Sequence, residues 1–317
     1  MKDWDEIAQG ILKGQKRAIA RGLTWIEQGR NDGKQLAQKL FAHAGHAQVI
    51  GITGSPGVGK STLVNALTLT LRSQGFKVGI LAVDPSSPFT GGAILGDRIR
   101  MQDSVMDAGV YMRSFASRGH LGGLSRATFG ALTILDAAGF DKILIETVGA
   151  GQSEVEIMQL AHTTMVVLAP GMGDDIQAIK AGILEIGQVF VVNKADRDGA
   201  DHTVRSIRSM LALAPEHPAW MPPILKTVAE DGRGMEELTE ALEHHWQHLT
   251  DKGLLDRFRW NQTEHLIEQA VADVGEHLIR RARAGPEWSH WVTEVGEGSR
   301  DAEHVAEELW RQELQEE

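Results

Sequence analysis

One short segment of the sequence carries the residue types that bind a chain of phosphates. Residues 54–61 read GSPGVGKS and match the pattern G-x-x-x-x-G-K-[ST] at every specified position. Glycines let successive backbone amides turn toward one phosphate, the lysine adds a positive charge, and the serine hydroxyl can ligate Mg²⁺. The predicted nucleotide-binding residues of this segment are Gly54, Ser55, Pro56, Gly57, Val58, Gly59, Lys60, Ser61 and the adjoining Thr62.

A second motif is suited to recognising a guanine base. Residues 193–196 read NKAD and directly follow the apolar run VFVV. The Asp196 carboxylate can accept the N1 and N2 protons of guanine together, whereas adenine has no such pair of donors. An unmatched buried polar group costs roughly 1–3 kcal/mol, which is enough to discriminate between the bases. We predict that Asp196 selects guanine and that Asn193 and Lys194 brace the pocket.

A later strand end completes the predicted base pocket. Guanine-nucleotide proteins often have Ser-Ala at this place, with backbone amides facing the guanine oxygen. This chain has Val228-Ala229, followed by Glu230. A backbone contact survives that change, but a contact from a serine hydroxyl does not. We therefore expect Val228, Ala229 and Glu230 to contact the nucleotide through the main chain.

Three acidic residues at or after predicted strand ends are candidates for a magnesium site. A Mg²⁺ ion that bridges phosphates takes oxygen ligands and usually keeps several waters, so Ser61 and one acidic side chain suffice. We assign the direct contact to Asp97, in a glycine-flanked loop, and the metal-bound waters to Asp84 and Glu146. As alternatives, Asp84 forms the turn before PSSP, and Asp97 is an acidic residue at a helix N-terminus before RIRM.

The turn after Glu146 is predicted to sense the γ-phosphate. Residues 146–149 read ETVG, the D-x-x-G switch pattern with glutamate in place of aspartate, and the Gly149 amide would contact the phosphate. Many GTPases place a glutamine directly after that glycine to orient the attacking water, but this chain has Ala150 there and Gln152 two residues later. Slow intrinsic hydrolysis is therefore expected. The predicted catalytic group is Lys60, Glu146 and Gly149, and the predicted moving residues are Gln152 and Glu154.

Another glycine-rich segment is a candidate switch. Residues 170–182 read PGMGDDIQAIKAG and follow the apolar run MVVLA. The charged side chains of Asp174, Asp175 and Lys180 are suited to following the nucleotide state. A plain loop with a helix cap accounts for the same residue types.

These residues require a scaffold that brings strand ends together. Seven short apolar runs occur, most of them followed by a turn and an amphipathic stretch: QVIGITG, KVGILAVD, GVYMRSF, KILIET, TTMVVLA, QVFVVNKAD and PILKTVA. This alternation predicts the α/β fold of a P-loop NTPase, with a mostly parallel central sheet flanked by helices. Ligands of such sheets bind beyond the carboxyl ends of the strands, where the candidate residues lie.

Helical segments are predicted on both sides of the α/β region. Apolar side chains recur at helical spacing before the first run and again after the last. We predict an N-terminal helical segment at 1–45, a P-loop GTPase domain at 46–250 and a C-terminal helical dimerisation arm at 251–317. The last segment holds four of the eight tryptophans, and packing against a partner subunit or against the same core explains it equally well.

The composition limits the possible cellular compartments and binding partners of the protein. The chain has 32 basic and 43 acidic residues, a formal charge of −11, so it lacks the footprint of a protein that binds nucleic acid or an anionic membrane. It has no cysteine, which excludes thiolate chemistry and fits a reducing compartment. No apolar stretch is typical of a secretory signal or a membrane span. We expect a cytoplasmic protein.

Taken together, the motifs resemble one family. GSPGVGKST, VDPSSPFTGGAILGDRIRM, RSFASRGHLGGLS, ETVGAGQSE, PGMGDDIQAIKAGILEI and NKAD occur in this order. They are similar to those of the methylmalonyl-CoA mutase-associated GTPases, the bacterial MeaB and ArgK-type proteins, which are related to the human cobalamin-disorder A protein. The resemblance is close over residues 5–250 and looser over the C-terminal helices.

The resemblance implies more than the motifs do. Members are GTPases of the SIMIBI class that bind Mg²⁺ with GTP or GDP and form homodimers, often through a C-terminal helical arm. They are chaperones of adenosylcobalamin-dependent acyl-CoA mutases, such as methylmalonyl-CoA mutase, and they gate cofactor loading and protect or reactivate the mutase. An adenosyltransferase is a further candidate partner. In this family the segment with Asp174, Asp175 and Lys180 is a third switch that couples the nucleotide to the partner.

Two other classes of function use the same phosphate loop. A metallochaperone GTPase usually has clusters of cysteine and histidine, but this chain has no cysteine and its 13 histidines are scattered. A small-molecule kinase that uses ATP is disfavoured by the guanine motif.

Overall fold

The computed structural model describes residues 3–84, 107–116, 121–147, 158–171, 186–212 and 219–316. The helices in this part of the chain are α1 (Asp3–Leu12), α2 (Lys16–Glu27), α3 (Asn31–Phe41), α4 (Lys60–Ser73), α5 (Leu121–Ala137), α6 (Ala200–Leu211), α7 (Met235–Asp251), α8 (Leu254–Ala284), α9 (Trp288–Gly296) and α10 (Ala302–Glu316). The strands are β1 (Gln48–Thr53), β2 (Val78–Asp84), β3 (Val110–Ala116), β4 (Lys142–Thr147), β5 (Thr163–Leu168), β6 (Val189–Val192) and β7 (Ile224–Lys226).

The strands form one sheet in the order β3-β2-β4-β1-β5-β6-β7, and every neighbouring pair is parallel. Each of the seven apolar runs contributes one strand, because a parallel sheet covered on both faces needs continuous apolar segments. The predicted α/β fold with a parallel sheet flanked by helices is confirmed. The phosphate loop follows the central strand β1, and Glu146 is the last residue but one of the neighbouring strand β4.

Different helices cover the two faces of the sheet. On one face Leu36 of α3 shares a buried core with Ile143 of β4, and helices α1, α2 and α5 belong to the same core. On the other face Leu63 of α4 and Leu238 of α7 pack with Leu144 of β4. Since Ile143 and Leu144 are consecutive in the strand, they point to opposite faces. The face that carries α4 also carries the phosphate loop.

The chain divides into two compact units, residues 1–259 and 260–317. The first unit includes α1 to α3, whose apolar side chains belong to the core of the sheet. The second unit has a small core of its own, formed by Leu278, Trp291, Val305 and Leu309. Among the described residues no helix is both long enough and apolar enough to cross a membrane.

Candidate nucleotide-binding site

The phosphate loop lies between the end of β1 and the start of α4, as the sequence motif predicts. Two of its glycines are required by close contacts. A Cβ atom at Gly54, where φ is +144°, would lie 2.1 Å from the carbonyl oxygen of Val167. A Cβ atom at Gly59, where φ is +93°, would lie 2.6 Å from Nδ2 of Asn193. No side chain fits at either place, so the motif's glycines let the loop pack against β5 and the base-binding motif.

Lys60 is the first residue of α4 and is 8% exposed. Its ammonium group donates to the carbonyl oxygens of Gly54, at 2.5 Å, and Ser55, at 3.2 Å. The lysine side chain thus lies across its own loop. The N-terminus of α4 adds backbone amides and the positive end of the helix dipole, so a positive charge and amide donors converge where phosphate oxygens would bind.

Two predicted oxygen ligands are in contact beside this loop. The hydroxyl of Ser61 donates to Oε1 of Glu146 at 2.6 Å, although the residues are 85 positions apart. Glu146 is 2% exposed and lies at the end of β4, in register with Ile52 of β1. A buried carboxylate is costly unless it has partners or coordinates a metal. A hydroxyl and a carboxylate next to a phosphate site are hard oxygen donors, so these residues fit Mg²⁺.

Asn193 joins three separate segments of the site. It is 2% exposed, and its Nδ2 donates to the carbonyl oxygen of Val58 in the phosphate loop at 2.9 Å. Its Oδ1 accepts from the hydroxyl of Thr227 at 3.2 Å and from the amide of Ala229 at 3.1 Å. Both ends of the side-chain amide are therefore used, and the end of β6 is held to the phosphate loop and to the turn after β7.

Lys194 makes a second link to the phosphate loop. Its φ is +56°, the left-handed region that non-glycine residues seldom occupy. Its ammonium group donates to the carbonyl oxygen of Gly57 at 2.7 Å. Together Asn193 and Lys194 contact two consecutive carbonyl groups of the phosphate loop, so the predicted base-binding and phosphate-binding motifs form one structural unit.

A recess lies beside this unit. Its walls combine residues from the phosphate loop, the NKAD motif and the turn after β7. The residues are Gly59, Thr62, Asn193, Lys194, Asp196, Arg197, Val228, Ala229 and Glu230. The sequence motifs predict all of them except Arg197, whose only signal in the sequence is its position directly after Asp196. Three segments far apart in sequence thus form one recess next to the phosphate loop.

The amides in the turn after β7 already have acceptors. The Val228 amide donates to the carbonyl oxygen of Arg233 at 3.0 Å, and the Ala229 amide donates to Asn193. A main-chain contact to guanine stays a prediction. At Ala229 it requires the amide to donate both to Oδ1 of Asn193 and to guanine, or to leave Oδ1 of Asn193 for guanine. Beyond this turn, a hydrogen bond from Arg233 to Asp231, together with the nearby charge of Asp196, raises the pKa of Arg233.

Other predicted residues are not placed by the structure. Asp84 ends β2, on the strand beside β4, and its side chain is not described. The remaining predicted metal, sensor and switch residues lie outside the described residues. They are Asp97, Gly149, Gln152, Glu154, Asp174, Asp175 and Lys180.

Comparisons with known proteins agree with this site. The family model described as "Methylmalonyl Co-A mutase-associated GTPase MeaB" matches residues 19–287. A protein of Pyrococcus horikoshii whose name assigns it to the GTPases is 47% identical over 277 residues, covering 86% of this chain and 87% of its own. The mouse protein named "Methylmalonic aciduria type A homolog, mitochondrial" is 31% identical over 281 residues, covering 83% of this chain and 67% of its own.

A solved structure shows the same fold. The crystal structure titled "LAO/AO transport system kinase" superimposes with a TM-score of 0.73 over 99% of both chains, at 23% sequence identity. The family model spans the phosphate loop, Glu146 and the NKAD motif, so the likeness covers every part of the site described above. This chain is therefore a P-loop GTPase of the MeaB family, the methylmalonyl-CoA mutase-associated GTPases.

Proposed function

We propose that this GTPase binds and hydrolyses MgGTP as a chaperone of an adenosylcobalamin-dependent acyl-CoA mutase, with methylmalonyl-CoA mutase as the first candidate. In this role it gates cofactor loading and protects or reactivates the mutase, and an adenosyltransferase is a further candidate partner. The family name supports the mutase link. So does the mouse relative, whose name refers to methylmalonic aciduria.

The nucleotide assignment rests on the position of Asn193. Its hydrogen bonds hold the phosphate loop and the turn after β7 against the end of β6, so a single ligand can contact all three. Phosphates would bind at Lys60 and the loop amides, and the base would enter the recess beside Asp196. The carboxylate of Asp196 then selects guanine, because only guanine presents two adjacent donors to it.

The metal site in this proposal is built on Ser61 and Glu146. Asp97, in the segment that follows β2, is the proposed direct ligand, while Asp84 and Glu146 would hold metal-bound waters. When bound at these residues, Mg²⁺ would neutralise charge on the phosphates. Glu146 also keeps the Ser61 hydroxyl oriented, since that hydroxyl donates its proton to the carboxylate and turns its lone pairs away from it.

The catalytic contribution of the chain itself is positional and electrostatic. Lys60 and the N-terminus of α4 stabilise charge that develops on the phosphates, and Gly149 is the proposed γ-phosphate sensor. Because Ala150 stands where many GTPases have a water-orienting glutamine, hydrolysis by the isolated protein should be slow. A partner would then complete the site, and the switch residues Gln152, Glu154, Asp174, Asp175 and Lys180 would report the nucleotide state to it.

The C-terminal unit is the proposed dimerisation arm. Four exposed apolar side chains form a stripe on α8: Trp260, Ile267, Val271 and Val274 are 69%, 60%, 59% and 51% exposed. Their spacings of seven, four and three residues place them along one side of a helix, in the pattern of a coiled-coil seam. A stripe of this kind on one helix is typical of a surface that another chain covers.

The decisive experiment mixes purified protein with purified methylmalonyl-CoA mutase, with a non-hydrolysable GTP analogue, with GDP or without nucleotide. Co-migration in size-exclusion chromatography that changes with the nucleotide supports the proposal. Lys60→Ala is the matched control, because it removes the ammonium at the phosphate loop and should abolish the effect of GTP. A protein that binds GTP normally but never associates with the mutase would refute the chaperone role. Turnover of ATP at the rate of GTP, or phosphorylation of a small molecule, would favour a kinase.

A further inference from the structure

Two buried threonine hydroxyls lie at the carboxyl ends of central strands, beside the nucleotide site. Thr53 is the last residue of β1 and directly precedes Gly54, and Thr147 is the last residue of β4 and directly follows Glu146. Both are 0% exposed. Neither Oγ1 has a hydrogen-bond partner within the described residues.

The two side chains are neighbours on one face. Ile52 is in register with Glu146, so the next residues, Thr53 and Thr147, are adjacent on the paired strands β1 and β4. Side chains alternate along a strand, which places both threonines on the face opposite Glu146, toward α5. There Met158 lies against β1, and a Cβ atom at Gly51 would come within 2.5 Å of its sulfur. This face of the sheet is therefore apolar beside Gly51, two residues before Thr53.

Such hydroxyls are hard to explain by stability alone. A buried hydroxyl without a partner lowers stability, and valine has nearly the same shape without that penalty. Native proteins leave few such groups, and each calls for a specific explanation. Here two occur side by side, one adjoining the phosphate loop and the other adjoining the proposed metal site.

We propose that Thr53 and Thr147 are positioning residues for nucleotide discrimination, and that their hydroxyls gain hydrogen-bond partners when the site binds MgGTP. This inference rests on the nucleotide site proposed above. Glu146 and Gly54 are each one peptide bond away, so a change in their position on binding the metal and the γ-phosphate moves the threonines as well. A hydrogen bond present only with MgGTP stabilises that state over the GDP state.

The test compares Thr147→Val, Thr53→Val and Thr147→Ser with the unchanged protein. We measure the dissociation constants of a non-hydrolysable GTP analogue and of GDP, both with Mg²⁺. One ordinary net hydrogen bond corresponds to about a five-fold change in an equilibrium constant. Thr147→Val should therefore lower the preference for the GTP analogue over GDP about five-fold, whereas Thr147→Ser, which keeps the hydroxyl, should restore it. Without nucleotide, the valine variant should melt no lower than the unchanged protein.

Thr133→Val is the matched control. Thr133 is a buried threonine on α5 whose hydroxyl donates to the carbonyl oxygen of Phe129, so its loss should lower stability and leave the nucleotide preference unchanged. An unchanged preference in both Thr→Val variants at the edge of the sheet would overturn the proposal, as would a loss that serine does not restore. If the unchanged protein itself bound no GTP analogue, the nucleotide site would be wrong instead.

Discussion

The position of Asn193 makes a quantitative prediction about nucleotide affinity. Asn193→Ala removes three hydrogen bonds, to Val58, Thr227 and Ala229, from a side chain that is 2% exposed. Each is worth about 1 kcal/mol net, and a buried partner left without a bond costs somewhat more. Water entering from the adjacent recess can satisfy part of what is lost. We therefore expect a cost of about 2–3 kcal/mol for holding the three segments together.

This cost should appear mainly in binding. A bound nucleotide contacts the phosphate loop and the base recess at the same time. In the variant, bringing these two segments together costs free energy, and this cost weakens nucleotide binding. A loss of about 2–3 kcal/mol corresponds to roughly 30- to 150-fold weaker affinity. Titration with a fluorescent GTP analogue measures the affinity, and urea unfolding measures the stability of the same samples.

Gln188→Ala is the matched control for this substitution. Gln188 accepts a hydrogen bond from the Thr164 amide at 2.6 Å. Thr164 lies near the amino-terminal end of β5, whereas the nucleotide site lies at the carboxyl ends of the strands. Its loss should lower stability by about 1 kcal/mol and leave affinity unchanged. If Asn193→Ala binds GTP within about two-fold of the unchanged protein while its stability falls, the Asn193 side chain has only a structural role and the prediction is wrong.

Three further predictions concern base selection, assembly and pH. Asp196→Asn should reduce the preference for GTP over ATP by about ten-fold or more, and an unchanged ratio from parallel titrations would contradict the assigned base contact. Trp260→Asp together with Val271→Asp should convert a dimer to a monomer in light scattering without changing GTP affinity; a dimer that persists would exclude the α8 stripe as its interface. Burial lowers the pKa values of His162 and His245 to about 4 in the folded protein. In the unfolded chain a histidine has a pKa near 6.5, so below pH 6.5 the unfolded chain binds protons that the folded protein does not. Stability should therefore decrease between pH 6.5 and 4, by about 2 kcal/mol at pH 5 for His162 alone, and His162→Gln should flatten the dependence measured by urea unfolding.

The structure gives the histidine effect a physical basis. Nδ1 of His162 accepts a hydrogen bond from the Val49 amide at 2.9 Å, and the imidazole packs against the rings of Trp246 and Phe258, whose centroids are 5.0 and 4.7 Å away. Protonation of Nδ1 would place two donors face to face and add a charge near Arg259, which further lowers the pKa of His162. The sequence contains no signal for this, because a histidine before a strand is compatible with many environments.

Much of the site was predictable because its motifs are local. The phosphate loop, the NKAD motif and the turn at 228–230 each specify their chemistry within a few residues, and the alternation of apolar runs indicates which ends of the strands they share. The carboxyl ends of parallel strands lie on the same side of the sheet, so the sequence predicts that Asn193 lies near the phosphate loop. The motifs do not specify which atoms are in contact at this site.

By itself the sequence determined the nucleotide class, the parallel α/β architecture and the family, since these depend on residue types at short spacings. Only the tertiary structure decided that Ser61 contacts Glu146, that the Ala229 amide is bound by Asn193, and that two threonine hydroxyls lie buried side by side. These contacts join residues tens of positions apart. They depend on strand order and register, where a shift of one residue would turn Glu146 to the opposite face of the sheet and Thr147 toward α4.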